Sequence, residues 1–91
     1  RQNASIIYRV LKDAEKKLLS GKKEPAAIKN EALEEFRGNP YIKKTDYFDI
    51  RDEVTLEEIK TTGRTGKIVI AAAVTIGKTR LIDNVVINKK K

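Results

Sequence analysis

The densest acidic cluster of the chain is Asp46, Asp49, Asp52 and Glu53, and carboxylates at such density can hold a hard cation. The pattern argues against it. On a strand, alternation sends Asp46 and Asp49 to opposite faces, and the spacing of no known cation loop is present. A solvated edge strand followed by a turn accounts for the cluster. Gly77-Lys78-Thr79 after an apolar run looks like the end of a phosphate-binding loop, but that loop needs a glycine where Ala72 stands, and a helix to follow. Leu81 to Ile87 is rich in β-formers instead. Ser5 and Ser20 have no histidine to activate them, because the chain has none, nor any cysteine. The commonest general base, the thiolate nucleophile and thiolate zinc sites are therefore all excluded.

Arg80, Asp83 and Asn84 remain as candidate residues. They lie between the apolar runs Ile68–Val74 and Val85–Ile87, where Asp and Asn cost stability unless they bond to something definite. On a regular strand Arg80 and Asp83 point to opposite faces, and Asn84 shares the face of Arg80, Ile82 and Val86. Asp83 and Asn84 are read as bonding to nearby backbone and holding a bend or bulge. The functional alternative is that this end of the sheet touches another domain or a ligand.

The elements that must position these residues follow from periodicity. Residues 2–20 carry Ala4, Ile7, Leu11, Ala14 and Leu18 at spacings of three and four, widened by Tyr8, Val10 and Leu19, which predicts an amphipathic helix stopped at Gly21. A second helix is expected over Pro25–Arg37, with Pro25 in its first turn and the stripe Ile28, Ala32, Leu33, Phe36. Gly38 and Asn39 are expected to end it with positive φ, ahead of Pro40. The short link makes the helices an antiparallel pair. Thr45–Arg51 alternates as a strand with Phe48 and Ile50 on one face. Thr55-Leu56-Glu57-Glu58 has capping-box form and predicts one helical turn. Thr61–Gly66 is a polar loop. Lys67–Thr75, with almost no polar alternation, predicts a central strand buried on both faces, and after a turn Arg80–Asn88 returns as the last strand. The fold class is α+β: a two-layer domain with an antiparallel helix pair on a three-stranded, mostly antiparallel sheet. Its expected core is Ile7, Leu11, Leu18, Ile28, Phe36, Phe48, Ile70, Ala72 and Ile82.

At 91 residues the chain is one small domain, 1–91, with 89–91 as a loose basic tail. Arg1 at the front, with no methionine anywhere, predicts a piece of a longer protein. No apolar run approaches a membrane span and no signal pattern opens the chain, so a reducing, cytoplasmic setting is expected. The net charge is +7, from 20 Lys and Arg against 13 Asp and Glu. These cations are dispersed as Lys16-Lys17, Lys22-Lys23, Lys43-Lys44 and the Lys89-Lys90-Lys91 tail. With 3 Tyr and 2 Phe there is little for base stacking, so loose polyanion binding is expected and specific nucleic-acid recognition is not. A stand-alone basic module binding nucleic acid or a protein is the alternative reading from composition alone.

Three segments carry a family resemblance. Arg1-Gln2-Asn3-Ala4 with Tyr8, Leu11, Ala14 and Gly21, then Asp46–Asp52 with Thr55-Leu56, then Ile76–Asn84, resemble the C-terminal domain of the pantothenate synthetases, or pantoate–β-alanine ligases. Glu53 departs from the pattern, where a proline is expected. The resemblance implies an ATP- and magnesium-dependent ligase that adenylates pantoate and transfers the acyl group to β-alanine. It implies that the nucleotide-binding fold with its histidine motif, and a Ser-Ser-Arg-Asn segment that closes on ATP, lie upstream of this chain. The 91 residues then correspond to a lid over the active site, with no catalytic, cofactor-binding or metal residue of their own. The partners implied are the N-terminal domain, pantoate, β-alanine and ATP, and a homodimer whose contacts lie mainly in the missing domain.

Overall fold

A computed structural model describes residues 2–61, 63 and 65–90, with residues 2–5 given through their backbone alone. Helix α1 spans Gln2–Ser20 and buries Ile7, Val10, Leu11, Ala14 and Leu18. Ala4, predicted on the same stripe, lies outside the described side chains. Gly21 ends α1 with φ +70°, a conformation open to glycine at no steric cost, and its N–H bonds the Leu18 carbonyl at 3.2 Å. Helix α2, Pro25–Arg37, starts from an extended Glu24 and buries Pro25, Ile28, Ala32 and Phe36. Its end differs from expectation. Gly38 stays right-handed at φ −77°, its N–H still bonded within the helix to Glu34. The stop is made one residue later, where Asn39 Oδ1 accepts the Tyr41 N–H at 2.9 Å and Pro40 forbids another turn.

Lys17 and Arg9 of α1 reach Glu31 and Glu35 of α2, so the helices run antiparallel. They cover one face of a sheet ordered β1-β2-β3 and antiparallel throughout: β1 Ile42–Asp52, β2 Gly66–Ile76, β3 Thr79–Lys89. Helix α1 rests on β3 and β2, and α2 on β1. Phe48, Ile50, Ile68, Ile70, Ala72, Val74 and Ile87 point at the helices and are buried. The other face is open. There the central strand presents Val69 and Ala71, half-buried, and Ala73, which is buried between its register partners Tyr47 and Ile82.

Three further expectations are corrected. Ile82, expected in the core, is 58% exposed. It pairs with Ala73 rather than Ala72, so it stands on the open face while its neighbour Leu81 packs on the core. Lys89, read as the start of a loose tail, closes β3 opposite Gly66 and is buried; Lys91 lies outside the described residues. Thr55–Glu58 makes no helical turn. Asp52 Oδ1 accepts the N–H groups of Val54 and Thr55, and Leu56 takes φ +64°. The chain then doubles back so that Glu58 bridges Arg51 and Ile59 enters the core. Glu53 N–H donates to the Lys67 carbonyl at 3.0 Å, a bond that a proline at this position could not make.

Candidate functional site

Strand β1 carries two register shifts, and the second leaves Asp46 as an extra residue between Thr45 and Tyr47. A bulge restarts the alternation. It aims Asp46 across β2 at Arg80, whose Nε donates to Asp46 Oδ2 at 2.9 Å. Lys44 stands 3.6 Å from the other oxygen. The Asp46 side chain is only 17% exposed, so its charge needs this pairing. The link ties the two outer strands together over Thr75, the register partner of Arg80.

Asn84 shares the open face with Arg80, Ile82 and Val86, all exposed. Asp83 alternates to the helix side, half-buried, and its Oδ1 accepts the N–H of Asn84 at 2.8 Å. No bulge interrupts β3, which pairs residue by residue with β2 from Thr79 to Lys89. Arg80, Asp83 and Asn84 therefore do not converge on one point. Asp83 serves the backbone, and Arg80 serves Asp46.

Sequence reasoning missed two groupings. A cleft of about 390 Å³ where α2 runs into β1 has Leu33, Phe36 and Ile42 in its walls and the cations Arg37, Lys43 and Lys44 at its rim. The doublet Lys43-Lys44 was its signal, but α2's contribution is set by tertiary packing. Glu31 is the second. Lys17 and Lys23 both bond its carboxylate, and they hold its pKa down at about 2, Lys17 having the larger effect. Lys17 is raised in turn, first by Asp13 and then by Glu31.

The charged groups described at this end of the sheet are engaged in ion pairs and backbone hydrogen bonds. Among the described residues no three His, Cys, Asp or Glu side chains stand where they could hold a metal ion. Among the described residues no helix is long and apolar enough to cross a membrane.

The described residues form a small two-layer α+β module, a helix pair on a three-stranded antiparallel sheet. Comparison with known proteins makes the class specific. The family model for Pantoate-beta-alanine ligase matches residues 1–86. The pantothenate synthetase of Thermodesulfovibrio yellowstonii is 41% identical over 87 residues, covering 96% of this chain and 30% of that protein. That of Fervidobacterium nodosum is 41% identical over 88 residues, covering 97% and 30%. That of Clostridium botulinum is 43% identical over 84 residues, covering 92% and 29%. The chain belongs to the pantoate–β-alanine ligase family. It spans about 30% of the length of the curated relatives it matches.

Proposed function

We propose that this chain is the C-terminal lid domain of an ATP-dependent ligase that condenses pantoate and β-alanine to pantothenate through a pantoyl adenylate. The observation that carries the reading is the family match over nearly the whole chain, against relatives more than three times as long. The absence of histidine and cysteine from the sequence agrees with it, because the commonest general base and the thiolate nucleophile would then come from the rest of the full-length protein. The family resemblance assigns nucleotide and magnesium to that remaining part, in a cytoplasmic homodimer.

A lid acts by closure. It keeps water from an acyl adenylate that would otherwise hydrolyse, and it completes the site only when substrate is present. A stiff sheet with helices on one face suits a part that must move as a body. The net charge of +7 helps to draw in anionic ATP and pantoate. Pantothenate formation assayed with the full-length protein and with this chain tests the reading. The full-length protein is expected to be active and this chain inactive, with ATP binding to the chain weaker than about 1 mM by calorimetry. Micromolar ATP affinity for the 91 residues, or turnover by them, would sink it.

A further inference from the structure

The two edges of the sheet are built differently. The β1 edge is blunted: it has two register shifts, carries Lys43, Lys44 and Asp46, and is bridged near its end from Arg51 to Glu58. Bulges, charges and cover of this kind discourage strand addition. The β3 edge has no shift over its 11 residues. Asn84 N–H is held by the Asp83 side chain, so it points away from β2. Alternate residues of a strand turn their backbone groups to the same side, and Ile82 and Val86 therefore present N–H and C=O groups to the open edge as well.

The same flank carries exposed apolar side chains. Ile82 and Val86 are 58% and 55% exposed. On α1, the residues that reach α2 are Arg9 and Lys17. The opposite stripe, at helical spacing, is Tyr8, Lys12, Glu15 and Leu19. Because α1 rests on β3, this stripe stands above the free edge, with Tyr8 and Leu19 each 47% exposed.

We propose that the β3 flank is a self-association surface, on which a second copy of this chain adds its own β3 antiparallel, about a twofold axis through Asn84. The sequence is self-complementary in that register. Ile82 falls opposite Val86 of the second copy, Arg80 opposite Asn88, Leu81 opposite Ile87 and Asp83 opposite Val85, so no like charges meet along the paired strands. Centring on Asp83 instead would set two carboxylates face to face. The α1 stripe has the same symmetry. Running antiparallel, it places Tyr8 against Leu19 of the other copy, and it sets the Lys12–Glu15 ion pair, 2.7 Å within each helix, against its symmetry mate with opposite charges facing. An isologous contact requires such matching. Asp83 is the guard of the edge: its carboxylate holds the central N–H of the free chain and gives way on pairing. This surface lies within the domain and is separate from the contacts proposed for the rest of the full-length protein.

Sedimentation of this chain from about 1 to about 500 μM tests the proposal, a range that spans weak to moderate dimers. The parent is expected to pass from monomer to dimer, and the dimer is expected to tighten with added salt, because two +7 chains repel. Ile82→Lys and Val86→Lys change exposed side chains and should keep the circular dichroism of the parent. Each should weaken association at least tenfold. Val54→Lys, 79% exposed and away from this flank, should leave association unchanged. Asp83→Ala, which frees the edge, should tighten it. A monomer at every concentration, or a dimer indifferent to both lysine variants, would overturn the proposal; so would weaker association in Asp83→Ala that keeps the parent's dichroism.

Discussion

Phe36→Ala removes the side chain that locks the last turn of α2 onto the sheet. Phe36 is fully buried, and its ring meets Phe48 of β1 edge-on at 6.3 Å between centroids. Replacing a buried Phe by Ala costs about 3–5 kcal/mol, through lost transfer energy and the cavity left behind. The lower end applies here, because Phe36 also lines the open cleft beneath Arg37, and water or rim side chains can enter the space. A chain of 91 residues has a stability of about 5–14 kcal/mol. A loss of about 3 kcal/mol is therefore between a fifth and more than half of the total. At about 4–8 °C per kcal/mol for a domain of this size, Tm should fall by at least about 12 °C. Thermal melts followed by circular dichroism, with urea midpoints beside them, measure the change. Phe36→Ala combined with Phe48→Ala should show a coupling of about 0.5–1.5 kcal/mol, the part due to the edge-on contact. A fall of Tm under about 3 °C would show that α2 is not held by this residue, and the account of the core would be wrong.

Two further outcomes follow from the charged groups. Glu31, its pKa lowered from an ordinary 4.5 to about 2 by Lys17 and Lys23, adds stability that is present above about pH 4.5 and is lost as pH falls toward 2. Glu31→Gln should therefore be less stable than the parent at pH 6, with the gap closing by pH 2; an unchanged gap in acid urea titrations would refute the pairing. A double-mutant cycle on Arg80→Ala and Asp46→Ala should give a coupling of about 1 kcal/mol that shrinks at 1 M salt, and a coupling near zero would mean that the link across β2 is idle.

Both helices were legible to the residue because their signals are local. Apolar spacing sets the buried stripe, Gly21 gives the left-handed stop, and Pro25 fits a first turn. The order and sense of the strands were legible from alternation and short links. What the sequence concealed depends on pairing. Leu81-Ile82 and Val85-Val86-Ile87 put apolar side chains on both parities of β3, so nothing in the strand says which parity meets the helices. The register with β2 decides it, and Ile82 went to the open face. The bulge at Asp46 is the second of two one-residue shifts in β1, and the partner that makes it useful, Arg80, is 34 residues away. Thr55 and Glu58 match a capping box, but Asp52 takes the Thr55 N–H that Glu58 would bond, Thr55 Oγ1 accepts the Glu57 N–H instead of that of Glu58, and Leu56 takes φ +64°. Of the candidate residues, the sequence indicated where Arg80, Asp83 and Asn84 sit along the strand. It did not indicate that Arg80 would reach Asp46 on another strand while Asp83 turned to its own backbone.

The division between the two edges bears on how a lid could work. At the β1 edge, the bulged strand and α2 leave the cations Lys43, Lys44 and Arg37 around an open cleft, and strand pairing there is obstructed. At the β3 edge, the backbone is regular and the side chains are apolar or matched in charge. Under the two proposals above, anionic substrates would be drawn to the first kind of surface and a second copy to the second. The sheet separates them by the full width of β2, so occupation of one does not block the other. Under the proposed reading, a pair of domains joined through β3 would move together while each kept its basic cleft free. Coupling between two sites needs an element whose position both of them bias, and a continuous sheet through paired β3 strands would be that element. Ile82→Lys, introduced into the full-length protein, would separate the two properties, leaving the chemistry of one site intact while uncoupling it from its neighbour.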